Sequence, residues 1–406
     1  MGGKIRTAHV LKGLRGGRFH VILASPAPVR VPASHRAELR ELCEEFISWP
    51  EAPRGKLFAY TRLRHAFSPL PISIATDRSA SARRLIADAV QDADIVVADF
   101  LHSAVILPSA LPIPSVMFTH NVEAEIFARH AELASGPMRR AVWRGQLAKM
   151  QRFEGSTLAK FDAVVAVSER DRDRFRREYD VTAATIPTGV DLGYFAFHPV
   201  VERPPPVIAF TASMDSLANI DGVRWFMDSV WPLIVAQVPD AQMRVIGRSP
   251  DPGLMNEAGR RGLNWRFTGY VDDVRPHLET ASVYVIPLRV GGGTRIKAYE
   301  AMAFGLPTVS TKIGVEGLAV EPGRHFLEAD DAGGFATAVV SLLGDFGLRR
   351  RLAAEARALV EANCSARSVG AVFEAICTAA MEARRSQSWA PSASLARTRA
   401  PGTSGA

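Results

Sequence analysis

Short runs of β-branched and apolar residues alternate along this chain with longer amphipathic stretches, in two sets divided by one proline-rich segment. The first set is HVILAS (20–25), DIVVADF (94–100), PSVMFTH (114–120) and DAVVAVS (162–168). The second is PVIAF (206–210), MRVIG (243–247), NWRFTG (264–269), VYVIPL (283–288) and PTVST (307–311). Strands that take turns with helical segments belong in parallel sheets covered on both faces by helices, so each set predicts a doubly wound α/β domain. The segment between the sets, FHPVVERPPP (197–206), is held extended by its prolines and is expected to be an interdomain linker.

Length agrees with that division. A chain of 406 residues exceeds the size at which one hydrophobic core keeps growing. The expected organisation is 1–196 as the N-terminal domain, 197–206 as linker, 207–365 as the C-terminal domain and 366–385 as a terminal helix packing back on the N-terminal domain. From 386 to 406 the chain loses apolar periodicity and reads as a disordered tail.

Apolar content of 47% and charged content of 22% fit a globular protein. The richest apolar region, 104–118, is interrupted by Pro108, Pro112 and Pro114, well short of the ~20 residues that a membrane span needs. The N-terminus lacks the apolar core of a signal peptide. Cys43, Cys364 and Cys377 have neither disulfide-framework nor zinc-ligand spacing, so a cytoplasmic protein is expected. A net charge of +7 favours an anionic partner without naming it.

The first residues, MGGKIRTAHVLKGLRGGRFHVILAS, read as a glycine turn, a helix from about Lys4 to Leu14 and then a strand. A doubly wound domain normally opens with an interior strand feeding such a turn, and here none precedes it. Omitting an interior strand leaves backbone groups unpaired on two neighbours, so the natural start is expected upstream of Met1.

The stretch GGGTRIKAYEAMAFGLPTVST (291–311) places three glycines, Arg295 and Lys297 between a strand and a helix. It lacks the Gly-Lys-Ser/Thr ending of a Walker loop. It does form a helix N-terminus at the carboxyl end of a parallel strand, where free amides, the helix dipole and two cations favour an anion. Glu300 lies roughly 9 Å along that helix, on the flank of an inward stripe of Ile296, Tyr299, Ala303 and Leu306. That places a carboxylate within reach of ribose hydroxyls when a diphosphate occupies the helix end.

The segment PLRVGGGTRIKAYEAMAFGLPTVSTKIGVEGL resembles the donor-binding region of glycosyltransferase family 4, and further stretches agree with that family in order and spacing. These are GGKIRTAHVLKGL, FTHNVEAEIF, IPTGVDLGYF, MDSLANIDGVRWF, RVIG and FTGYVDDVRPHLETASVYVIPL, together covering about Gly2 to Cys377. The resemblance implies the GT-B fold: two facing Rossmann-like domains, of which the N-terminal one here lacks its first strand. It assigns Glu300 to the ribose hydroxyls. Thr294, Arg295 and Lys297, with the backbone about Gly292 and Gly293, would hold the diphosphate. Tyr270 and Val271 match the loop packing on the base, Gly2 and Gly3 the turn facing the diphosphate, and His120 the histidine that meets the transferred sugar. In DFLH (99–102), Asp99 and His102 end the preceding strand at the same cleft.

Two departures stand out. Gly292 replaces a glutamate that commonly contacts the donor sugar, and TASMDSLANIDG lacks the usual basic pair, a charge that Arg295 and Lys297 would supply.

The implied activity is retaining, metal-independent transfer from a nucleotide sugar, a substrate and not a cofactor, to a saccharide or lipid-linked saccharide in surface polysaccharide synthesis. Alternatives are a nucleotide-sugar epimerase of the same fold or a non-catalytic nucleotide-sugar-binding relative. No nucleic-acid recognition motif is present. The basic helical region 138–154 interleaves Arg and Lys with Val, Trp, Leu and Met, as a helix in peripheral contact with an anionic membrane does.

Overall fold

A computed structural model of the chain describes residues 2–28, 30, 32–50, 62, 64–290 and 295–389. The N-terminal half opens with helix α1 (Gly2–Leu14), which takes in both glycines expected to form a turn. The reason is contact: a Cβ on Gly3 would lie 2.6 Å from two ring carbons of Phe100, so only glycine lets this end of the helix come so close.

Strands β1 (Ile22–Ala27) and β2 (Glu45–Pro50) form a parallel pair. The next four, β3 (Val96–Asp99), β4 (Ser115–Phe118), β5 (Ala163–Ala166) and β6 (Ala183–Thr185), make a separate parallel sheet in that order. Among the described residues β1 bonds only to β2 and β3 only to β4, so the N-terminal half holds two separate parallel sheets. β2 and β6 escape the sequence pattern because EFISWP ends in a proline and AAT is only three residues long.

After β4 come α2 (Glu123–Leu133) and α3 (Pro137–Leu158). Gly136 turns the chain at φ +83°, and Pro137 starts α3 at a position that needs no amide. Inside α3, the buried Glu154 carboxylate accepts from the Glu123 and Ala124 amides at 2.7 and 3.2 Å and from the Tyr179 hydroxyl at 2.8 Å. Burial pushes its pKa up to about 7, while these three donors oppose the shift. The contact fixes the start of α2 just beyond the end of β4.

The C-terminal half contains β7 (Val207–Thr211), β8 (Gln242–Ile246), β9 (Trp265–Phe267), β10 (Val283–Ile286), β11 (Thr308–Ser310) and β12 (Leu327–Glu328). They form one six-stranded parallel sheet, ordered β12-β11-β10-β7-β8-β9. Strand order reverses between β7 and β10, which sets a ligand crevice at their carboxyl ends. Helix α4 (Ile296–Phe304) starts there, buries Ile296, Tyr299 and Ala303, and ends at Gly305 with φ +90°.

The linker lies against helix α5 (Phe346–Asn363), whose buried Arg349 donates to the carbonyls of Val201 and Glu202 at 3.2 and 2.9 Å. Helix α6 (Ala366–Trp389) then returns to the N-terminal half. Its Val369, Phe373 and Cys377 share a buried cluster with Val10 of α1, Val116 and Phe118 of β4 and Val165 of β5. Arg384 adds a 2.9 Å bond to Asp162. α6 runs through Ser386 to Trp389, so the residues from 386 to 389 are helical where a tail was expected, and 390–406 lie outside the described residues. Among the described residues, no helix is long and apolar enough to cross a membrane.

Candidate functional site

Two cavities lie where the halves meet. The larger, about 550 Å³, opens at the β7/β10 crevice and is walled on one side by Thr211, Tyr284, Lys297 and Glu300, on the other by His9 and Lys12 of α1. Lys297 extends its amine to Asn219 Oδ1 at 3.2 Å and over the Phe210 ring at 4.3 Å. Burial, reinforced by the nearby Arg295 charge, lowers its pKa to about 7. The Glu300 carboxyl is pushed up to about 7 by burial, against the pull of Lys297. A cation and a carboxylate one helical turn apart thus face a cavity with little water to solvate them. Such a pair gains most from a ligand that offers an anion to one and hydroxyls to the other.

The smaller cavity, about 80 Å³, is lined by His120, Ser168 and Thr188 from the N-terminal half and by Arg295 and Glu316 from the C-terminal half. Arg295 is buried, and its Nε donates to the Ile313 carbonyl at 3.0 Å. The two basic residues of the loop therefore serve different cavities. Two positions apart in the chain, they meet different walls of the cleft.

His120 follows β4, and only 2% of its side chain is exposed. Its Nε2 lies 2.6 Å from Asp99 Oδ1 and its Nδ1 3.2 Å from Arg6 Nη1. Phe100 and Phe118 pack on the ring with centroids 4.1 and 4.3 Å away. Phe100 itself sits at φ +65°, a conformation costing roughly 1–3 kcal/mol for a non-glycine residue and concentrated at functional sites. The ring is thus largely enclosed, and what remains open lines the smaller cavity.

The residues matched by known protein families coincide with these elements. Residues 2–194 match the model for Glycosyltransferase Family 4, and residues 205–345 match the model for Glycosyl transferases group 1. The chain thus carries two glycosyltransferase domains.

A phosphatidyl-myo-inositol mannosyltransferase of Mycolicibacterium smegmatis is 30% identical over 199 residues, which are 47% of this chain and 51% of that protein. An uncharacterized 44.6 kDa protein in the cps region of Klebsiella pneumoniae is 20% identical over 40% of this chain and 43% of its own. The chain spans about half the length of the curated relatives it matches. Among solved structures, Anabaena HepE in complex with UDP and glucose superposes with a TM-score of 0.63 at 14% identity, covering 93% of this chain and 96% of its own. Sucrose-phosphate synthase from Thermosynechococcus elongatus gives 0.63 at 19% identity, covering 95% and 94%. These likenesses show the GT-B fold.

Of the residues that the family 4 resemblance singled out, the structure brings Lys297 and Glu300 together in the larger cavity and His120 and Arg295 together in the smaller. Gly3 lies against His120 and Phe100 at the start of α1. Tyr270 is 73% exposed and does not line the larger cavity, whereas Asp272 and Val274, just beyond Val271, do. His102 is held 2.6 Å from Asp77 and lines neither cavity. Gly292, Gly293 and Thr294 lie outside the described residues.

Four residues escaped the sequence reading: Arg6, Thr7, His9 and Asn219. Helical spacing in α1 carried the signal for three of them. Gly3, Arg6 and Thr7 form the face toward His120, while Ile5, His9 and Lys12 form the face toward the larger cavity. His9 is almost wholly buried, its Nδ1 has no partner among the described residues, and it fits because Gly189 carries no side chain.

Proposed function

We propose that this chain is a retaining glycosyltransferase that moves a sugar from a nucleotide sugar to a saccharide or lipid-linked saccharide. The observation that carries the reading is the pairing of Lys297 with Glu300 in a cavity at the β7/β10 crevice, closed from the other half by α1. Lys297 meets the diphosphate and opposes the negative charge that grows on it as the glycosidic bond breaks, and Glu300 accepts from the ribose hydroxyls. Asn219 orients the lysine, filling part of the place left by the missing basic pair. The acceptor enters from the side of the smaller cavity, beside His120.

A thermal-shift screen against nucleoside diphosphates tests the donor assignment. A nucleotide at about 100 times its Kd adds roughly 2.7 kcal/mol to stability, enough to raise the unfolding temperature by roughly 5–10 °C. No shift with any member of the panel sinks the reading. Product analysis with donor alone and with acceptor then separates transfer from epimerisation or mere binding.

The acceptor reading is supported by the mycobacterial relatives, whose names specify a phosphatidyl-myo-inositol. It is also supported by α3, which exposes Met138 and Val142 beside Arg139, Arg140 and Arg144. That mixture suits the surface of an anionic membrane. Binding to anionic but not to zwitterionic vesicles, weakening as salt rises, is the expected result; equal binding to both refutes the contact.

A further inference from the structure

We infer that Arg6 and Asp99 are positioning residues that hold His120 in a single tautomer, with its proton on Nε2 and its Nδ1 lone pair on the guanidinium. Its bearing on turnover rests on the proposed transferase activity; the tautomer itself does not.

The argument starts from what each partner can donate. Arginine has only N–H donors, so Arg6 Nη1 at 3.2 Å requires Nδ1 of His120 to be an acceptor. The ring proton must then sit on Nε2, which faces Asp99 Oδ1 at 2.6 Å, a carboxylate oxygen able only to accept. The second oxygen of Asp99 accepts from the Thr7 hydroxyl at 2.9 Å, so the carboxylate is itself oriented by α1. Burial lowers Arg6 to about 10, and Asp171 and Asp99 work to raise it, so the guanidinium remains charged at neutral pH.

Space supports the same conclusion. Arg6 is 1% exposed, and a cation held there needs a reason, because its Nε and Nη2 have no partner among the described residues. The imidazole is clasped at both nitrogens by Arg6 and Asp99 and packed by the rings of Phe100 and Phe118. With both nitrogens engaged, the ring cannot carry a proton between donor and acceptor without breaking one of these bonds. His120 is therefore a fixed, uncharged wall of the smaller cavity, and retaining transfer proceeds there with no protein base at this position. Arg6 and Thr7 lie one turn beyond Gly3, so a shift of α1 moves the whole assembly.

The test uses protein labelled with ¹⁵N-histidine, the His120 signals being assigned by their loss in His120→Gln. In the wild-type chain Nδ1 should resonate as a bare nitrogen and Nε2 as a protonated one. Arg6→Met should lose that pattern and lower kcat on the order of ten- to a hundred-fold, the scale of one charge-assisted hydrogen bond, with nucleoside diphosphate affinity nearly unchanged. Arg6→Lys, which restores a charged donor, should recover much of both. A protonated Nδ1 in the wild-type chain overturns the inference even if Arg6→Met does not fold. So does an Arg6→Met protein that keeps the wild-type pattern. Failure of the wild-type chain to bind any nucleoside diphosphate, with the expected His120 signals intact, defeats the donor reading and leaves the tautomer standing.

Discussion

Replacing Lys297 with methionine should weaken nucleoside diphosphate binding about 10- to 100-fold, while replacing Arg295 in the same way should cost only a small fraction of that. The difference follows from where the two side chains go. Lys297 faces the larger cavity beside Glu300, and its amine keeps N–H donors beyond the one used on Asn219. A charged hydrogen bond to a buried phosphate oxygen contributes roughly 1.5–3 kcal/mol, hence the expected factor. Arg295 faces the smaller cavity and spends its Nε on a carbonyl. Calorimetric titration of both variants decides the matter, and equal losses would show that the cavities act as one phosphate site.

The same lysine carries a pH signature in the ligand-free protein. Glu300 rises to about 7 in the fold, so between the ordinary carboxylate range and pH 7 the native state holds the extra proton, and stability falls as pH rises. Lys297 drops to about 7, so from there up to the ordinary lysine range the unfolded chain holds the extra proton, and stability climbs again. These two groups together give a minimum near pH 7, on the order of 2 kcal/mol deep. Lys297→Met should abolish the rising limb and Glu300→Gln the falling one, as read from unfolding temperature across pH.

What could be read in advance, and what could not, divides by range of interaction. Five of the six strands of the second half were visible as short runs between turns, as in VYVI of β10, buried at every position, whereas the two-residue β12 was not. β2, which ends in a proline, and β6, only three residues long, were not. Glu300 and Lys297 were legible from spacing along one helix. The direction of Arg295 was not, because which wall of the cleft it meets depends on the packing of α4 against the Ile313 turn. His120 was legible as a residue at a strand end, but the groups that hold its ring were not. Its partners Arg6 and Asp99 are 114 and 21 positions away, and no local pattern links them.

Gly370→Val should be the most damaging single change to stability. Helices α1 and α6 cross with backbone against backbone at this point. A Cβ on Gly370 would meet the Cα, C and O of Gly13 at 2.4–2.5 Å, and one on Gly13 would meet the Ala366 carbonyl at 1.9 Å. None of these atoms is the end of a flexible side chain, so a valine can be accommodated only by lifting α6. That lift withdraws Phe373 from Phe118, whose rings are 5.2 Å apart, and exposes Val369 and Cys377 with it. Each large apolar side chain returned to water forfeits about 1.5–3 kcal/mol, so a loss of roughly 4 kcal/mol and a fall in unfolding temperature of about 10 °C are expected. Gly259 supplies the control: it lies inside a helix with open space where a Cβ would go, so Gly259→Ala should stabilise by roughly 0.5–1 kcal/mol. The consequence reaches the site through α1, which presents Gly3 and Arg6 to His120 and His9 to the larger cavity. Valine at 370 should therefore disturb the His120 tautomer even in the fraction that remains folded. An unfolding temperature equal to that of the wild-type chain would mean that α6 does not press on α1 in solution.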